Sequence, residues 1–403
     1  MRLSVSHSLR LSCAVALGLL TVASGGCAGD PPPAPKAPEP TAAKIDMPAP
    51  PAKAEEPATP PAAPLAELQA KGLAAVLEAM NAHDAKKVAA LYTEDGVWRF
   101  PGDPDTKGRD KIEAAIAGLF ATFPDIKLGQ AYVLTKGDVT VTQFALTGTH
   151  KGDMGPLKAT NKPVGWQAIE IQWWTPDGHI REEHAYWDNG TMMSQIGLSK
   201  MKAPGIPTLA ASAQNVTAKG DEAETKNVDL VKTMYGAMEK KSAADFTSLM
   251  TDTSEWSDNT QPAVSKGKGD AKKFFDMHMK AFPDAKMNVK NSWGIGDFVV
   301  SEVSMNGTNS GPLYGKPATK KTVTMDSADL VQMKDGKIVK GWSFGNGMQA
   351  AAQLGLLPKP AAAPAGATPT PTPGAGEHHG KGEHHGKGDH HGKGDHHKGA
   401  PKK

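Results

Sequence analysis

The chain has 403 residues, a formal net charge of +2, 32 prolines, 43 glycines and two cysteines. That length suits two ordinary domains plus linker, and the nearly balanced charge gives no reason to expect a nucleic-acid partner. All eight tryptophans, from Trp98 to Trp342, lie in two central regions, where cores can form.

Arg2 and Arg10 flank the start of the apolar run LSCAVALGLLTVA, too short for a permanent span but suited to the core of a secretory signal over residues 1–26. SGG then precedes Cys27 and resembles a bacterial lipobox, with Ser24 where Leu is usual. The expectation is an exported chain anchored to the bacterial envelope by a lipid on Cys27. The alternative is ordinary cleavage and a secreted or periplasmic protein. Cys13 falls inside the signal, so the mature chain has no disulfide to make. Residues 27–64 are rich in Pro and Ala with scattered charge, a composition that favours extended conformers and reads as a spacer.

Two folded segments follow, 65–200 and 225–358, joined by a linker over 201–224. Leu73, Val76, Leu77 and Met80 have helical spacing, and Val231, Met234, Tyr235 and Met238 repeat it. LYTEDGVW then matches LMTDTSEW, and a second helical stripe through Ile112, Ile116 and Phe120 matches one through Phe274, Phe275 and Met279. The offset holds at 158–159 residues throughout, the mark of a duplicated domain.

Each unit then turns to alternating sequence: VTVTQFALTGTH, VGWQAIEIQWW and HIREEHAYWD, with PDG between the last two. Helices first and an antiparallel sheet after imply an α+β fold with a curved sheet closed by helices. Strict alternation from Ile180 puts Glu182, His184, Tyr186 and Asp188 on the inner face, and Arg181, Glu183, Ala185 and Trp187 outside. The same rule puts Trp342, Phe344 and Asn346 into the second unit's cavity. Glu170 and Asp329 match across the repeats, readable as a buried polar anchor or as outward carboxylates. His150 reads as a solvated loop residue, His278 as pocket-lining or solvent-facing, and Trp187 as an outer-face or domain contact.

The order NAHDAKKVAALYTEDGVWRFPG, KGRDKIEAAIAGLFATFPDIKL and PDGHIREEHAYWDNGTMMSQIGL resembles the SnoaL-like polyketide (ester) cyclase family of the nuclear-transport-factor-2-like cone fold. The second unit resembles it through KDGKIVKGW and QLGLLP. The resemblance implies three helices, a strongly curved antiparallel sheet and a deep, mainly apolar pocket. It also implies an acid–base aspartate eight residues after the Ile of DGxI, which is Asp188 here and Asn346 in the second unit. Asp188, helped by His184, is therefore the candidate catalytic group, with helix capping as its alternative. Tyr186, Trp98, Trp166, Phe120, Trp342, Phe344 and Asn346 are candidate pocket residues, and no cofactor is required. Two readings stay open: a binding protein for a small apolar or carbonyl-containing ligand, or a cyclase, isomerase or hydrolase working in the first unit alone. A homo-oligomer or a pseudo-dimer of the two units is the expected assembly.

Residues 359–403 form a Pro/Ala/Thr segment and then near-copies of [E/D]HHGKG. His378, His379, His384, His385, His390, His391, His396 and His397 offer paired imidazoles for weak binding of Zn, Ni or Cu, without fixed geometry.

Overall fold

The computed structural model describes residues 64–357. The signal, Cys27, the spacer and the histidine-rich tail lie outside them. The first domain runs α1 (Leu65–Ala82), α2 (Ala85–Ala89), β1 (Tyr92–Arg99), β2 (Thr106–Lys107), α3 (Arg109–Thr122), β3 (Lys127–Lys136), β4 (Val139–Thr149), β5 (Pro163–Trp174), β6 (Ile180–Tyr186) and α4 (Asn189–Gln195). After β7 (Gln214–Thr217), the second repeats this order: α5 (Glu222–Lys240), α6 (Ala243–Thr247), β8 (Met250–Asp258), β9 (Ser265–Lys266), α7 (Gly267–Ala281), β10 (Lys286–Ile295), β11 (Phe298–Thr308), β12 (Thr322–Lys334), β13 (Lys337–Gly345) and α8 (Gly347–Leu354).

The sheets are ordered β2-β1-β6-β5-β4-β3-β7 and β10-β11-β12-β13-β8-β9. Each is α+β and mixed rather than wholly antiparallel, because β1 pairs parallel with β6, and β8 with β13. The segment between the domains is also more than a linker. Its strand β7 adds parallel to the edge of β3, and a Cβ on Gly129 would lie 2.9 Å from the Ala210 carbonyl, so the chain crosses the sheet at a position only glycine permits.

Local chemistry sets the helix ends. Asp84, Asp221 and Ser242 accept a backbone N–H three residues on, and His83 and Lys241 close α1 and α5 in the left-handed region. The helices cover one face of each sheet. Ile112, Ile116 and Phe120 of α3 meet Trp166 and Trp174 of β5 in the first core, and Val231, Met234 and Met238 of α5 meet Val299 and Val331 in the second.

The opposite faces of the two sheets pack on each other. Leu134, Ile169, Ile171 and Tyr186 of the first domain share one buried cluster with Val300, Leu330 and Phe344 of the second. Here the alternation reading fails for a definite reason. Trp174 pairs with Ile180 but Trp173 pairs with Glu182, so Arg181 is an extra residue that shifts the phase of β6. Val339 does the same in β13, where Met333 pairs with Ile338 and Gln332 with Lys340. Beyond each bulge the faces are exchanged: Glu183 and Ala185 turn into the cone, while His184, Tyr186, Trp342 and Phe344 turn toward the other domain.

Trp174 plugs the first cone against α1, where a Cβ on Gly72 would lie 2.7 Å from the indole. Gly72→Ala should therefore cost about 1–3 kcal/mol of stability through overpacking, read as a lowered denaturation midpoint. The same change at Gly118, which has open space around it, should not destabilise.

Candidate functional site

The inner face of the first sheet carries two cross-strand rows of residues. Thr140, Gln172, Glu183 and Trp98 stand opposite one another in the first, and Thr142, Glu170 and Ala185 in the second. A directed chain of hydrogen bonds runs along the first row. Trp174 Nε1 donates to Thr140 Oγ1 (2.8 Å), Thr140 Oγ1 to Gln172 Oε1 (3.0 Å), and Gln172 Nε2 to Glu183 Oε2 (2.8 Å). The Tyr92 hydroxyl donates to the same Glu183 oxygen at 2.7 Å, and Arg109 holds Tyr92 in place through two bonds to its carbonyl.

Glu170 is different. It faces the same interior and keeps some accessible surface there, yet it receives no hydrogen bond among the described residues. Burial, and then the nearby Glu183 carboxyl, pushes Glu170 well above the usual carboxylate range. Burial also raises Glu183, opposed by its bonds from Gln172 and Tyr92 and by His184 behind the strand. The Oγ1 of Thr142, directly across from Glu170, and the Nε1 of Trp98 are buried without a partner. Three polar groups of this inner face thus have bonding capacity unused among the described residues, a costly state.

The second domain reverses this pattern position by position. Its first row is Val299, Val331 and Gly341, with Trp256 lying flat on Gly341 so closely that a Cβ there would come within 2.2 Å. Its second row is Ser301, Asp329 and Ser343. The Tyr235 hydroxyl donates to Asp329 Oδ2 at 2.9 Å, Ser343 stands opposite Asp329 and works to lower its pKa, and Trp256 Nε1 donates to Ser343 Oγ at 2.9 Å. Burial pushes Asp329 up to about 6, against Ser343 and Tyr235. By the repeat offset of 158, Tyr235 and Ser343 correspond to Leu77 and Ala185 in the first domain. Glu170 has thereby lost both groups that work to lower Asp329.

Of the residues singled out in the sequence, Trp98, Trp166 and Phe120 belong to the first cone's interior. Trp187 joins them, stacked on Phe100 at 4.1 Å, rather than facing outward. His184 and Tyr186 lie between the sheets instead. His184 Nδ1 meets Glu302 Oε1 at 2.5 Å, its Nε2 meets Glu182 Oε1 at 2.9 Å, and the Tyr186 hydroxyl donates to Glu302 Oε1 at 2.7 Å. Trp342 and Phe344 also sit at this junction, and Trp342 contributes to two clefts of about 210 Å³ each that share Gln167 and Pro207. Asp188 caps α4 and Asn346 caps α8. Asp188 Oδ1 accepts from Gly190 N and Gly347 N, and its Oδ2 from Thr191 N and Oγ1, so the carboxylate ties α4 to the start of α8. His150 is fully buried beside Phe123, not solvated, and His278 is a buried imidazole, pushed down by burial, whose Nδ1 bonds the Phe274 carbonyl. Among the described residues no group of three or more His, Cys, Asp or Glu is placed to hold a metal ion, and the histidine pairs of the tail fall outside them.

The sequence signal for the site was present but unread. Aligning the repeats shows Tyr92, Thr140, Gln172 and Glu183 replaced by Met250, Val299, Val331 and Gly341.

A family model described as SnoaL-like polyketide cyclase matches residues 71–196 and 229–354. Among solved structures the chain is similar to a protein from Jannaschia sp. CCS1 described as a SnoaL-like polyketide cyclase. The two are 20% identical over 34% of this chain and 97% of that one, with TM-score 0.32. It is also similar to IdmH from Streptomyces antibioticus, described as a polyketide cyclase, with 26% identity, 32% and 98% coverage and TM-score 0.29. AclR from Streptomyces galilaeus, described as a hydroxylase, gives 22% identity, 34% and 99% coverage and TM-score 0.31. A search of curated proteins found no match.

Two predictions follow from the junction. Burial works to lower His184, but Glu302 and Glu182 outweigh it and raise it above 6.5; burial works to raise Glu302, but His184, Tyr186 and Asn291 hold it below 4.5. The stabilisation from His184 is complete below pH 6.5 and fades as pH rises through its raised folded value. That from Glu302 is complete above pH 4.5 and fades as pH falls through its lowered value. Denaturation midpoints of wild type and His184→Gln should therefore differ most between those limits and converge at higher pH; parallel curves would contradict the pairing. At Asp188, both oxygens accept from backbone N–H groups, so either orientation of an amide puts NH₂ against a donor. Asp188→Asn should consequently cost about 1–2 kcal/mol, close to Asp188→Ala, where an ordinary cap would tolerate Asn. Urea unfolding of the two variants measures this.

Proposed function

Because the chain belongs to the SnoaL-like polyketide cyclase family and carries its domain twice, we propose that the first domain is the chemically competent copy. In this reading the inner face of its sheet binds a small, mainly apolar ligand, and Glu170 exchanges a proton with it. The observation that carries it is the contrast between Glu170, an acid inside an apolar cone without a single donor, and Asp329, its match, bonded by Tyr235. A carboxyl kept neutral by burial can give a proton to a carbonyl oxygen and, once ionised, take one from an adjacent carbon. Trp98 Nε1 and Thr142 Oγ1 supply further hydrogen bonds to such an oxygen, while Trp166 and Phe120 offer apolar wall. Glu183 nearby disfavours anionic ligands. Asp188 then has a structural task, and the second domain, its acid already satisfied, is a closed copy.

The reading extends to the cell envelope through the signal-like N-terminus, Cys27 and the Pro/Ala spacer. No helix among the described residues is long and apolar enough to cross a membrane, and in this reading a lipid on Cys27 supplies the attachment. Metabolic fatty-acid labelling should mark wild type and not Cys27→Ala, and equal labelling would remove the anchor.

For the site itself, mass spectrometry of molecules released on denaturing the purified chain should find a carbonyl- or hydroxyl-bearing compound from wild type and Asp329→Asn. It should be missing from Glu170→Leu. A compound retained equally by Glu170→Leu, or lost with Asp329 instead, would overturn the assignment.

A further inference from the structure

The hydrogen-bond chain in the first cone has a polarity, and the polarity has a consequence for Glu170. An indole N–H can only donate. Trp174 donates to Thr140 Oγ1, and Thr140 in turn donates to Gln172 Oε1. With that oxygen engaged, the Gln172 amide is fixed with Nε2 toward Glu183, which must accept. Tyr92 Oη donates to the same oxygen from the other side. Two donated bonds thus meet on Glu183 Oε2, and both favour the ionised form of that carboxyl. Glu170, diagonal to Glu183 across β5 and β6, has no such donors.

We infer that Glu183 is a positioning residue of this site: held as the terminal acceptor of the Trp174–Thr140–Gln172 chain and of Tyr92, it fixes the single proton of the carboxyl pair on Glu170. The inference rests on Glu170 as the working acid and says how its proton is regulated. The groups acting on the pair are few. From β6 itself His184 lies behind Glu183, bonded to Glu302 of β11 and to Glu182, with Arg99 of β1 3.4 Å from its Nε2; from β1 also comes Tyr92, and from α3 comes Arg109, whose guanidinium is spent on the Tyr92 carbonyl. From α1 the buried Gln69 bonds the Gly137 carbonyl and bears no charge. Among the described residues no lysine or arginine bonds either carboxyl, so repulsion between the two decides that one stays protonated, and the donors decide which. The second domain supplies an internal control. Val299, Val331, Met333 and Gly341 replace Thr140, Gln172, Trp174 and Glu183, so the fold accepts an apolar version of the whole chain and does not need it for stability.

Infrared difference spectroscopy on the full chain reads this directly, since a protonated carboxyl absorbs apart from the carboxylate and amide bands. At pH 8 the wild-type minus Glu170→Gln difference should show one protonated-carboxyl band. In Glu183→Gln the Glu170 band should titrate away at lower pH than in wild type, because its charged neighbour is gone. Thr140→Val should split the band into two as the proton becomes shared, and Thr140→Ser should restore one; a purely structural chain would change the denaturation midpoint and leave the band unsplit. If the band disappears in Glu183→Gln instead of Glu170→Gln, or if Glu183→Gln leaves its titration unmoved, Glu183 does not place the proton. That outcome is separate from ligand retention in Glu170→Leu, which tests the site itself.

Discussion

Two carboxyl groups, one buried and one half-buried, lie diagonally across one face of a sheet, and no cation among the described residues bonds either. Everything specific to the first domain can be traced to how this is accommodated. Leaving two carboxylates in an apolar interior is costly, and the donors that bond a carboxyl on this face all go to one of them. Glu183 collects Tyr92 and the chain that begins at Trp174, while Glu170 is left as an acid without a partner. Such a group adds nothing to stability, since an apolar residue of the same size would fold more easily.

The second domain shows what the same architecture does when that demand is lifted. Its acid at the matching place, Asp329, is bonded by Tyr235 and stands opposite Ser343, and the row that carries the donor chain in the first domain is Val299, Val331 and Gly341. The exchange is reciprocal, which argues against random drift: polar groups vanish from one row as they appear in the next. Yet the second domain is tied tightly to the first. Glu302 reaches His184 and Tyr186, Lys136 donates to the Gly294 carbonyl, and Gly347 N donates to Asp188. Through the Glu302–His184 pair the second domain reaches the back of the strand that carries Glu183, where His184 works to lower that carboxyl.

Much of this was legible in the sequence. Helical spacing from Leu73 and Val231, the constant repeat offset and the DGxI stretch gave the tandem α+β domains and the family. The faces of the last strands were not legible, because a bulge inserts one residue, Arg181 or Val339, without any signature in composition, and one residue is enough to exchange every side chain between faces. This sent His184 and Tyr186 to the junction and brought Glu183 inside. Glu170 was visible only as one of a matched pair of acids, since what distinguishes it from Asp329 is the absence of donors from Leu77 and Ala185, residues on other elements. The donor chain draws on β1, β4, β5 and β6, and no local window contains it.

The most direct measurement is a high-resolution crystal structure of the full chain with small carbonyl compounds soaked in. The account predicts ordered density bridging Glu170, Thr142 Oγ1 and Trp98 Nε1 in the first cone, and none beside Asp329 in the second. A dry, empty first cone, or a ligand seated against Asp329, would contradict it.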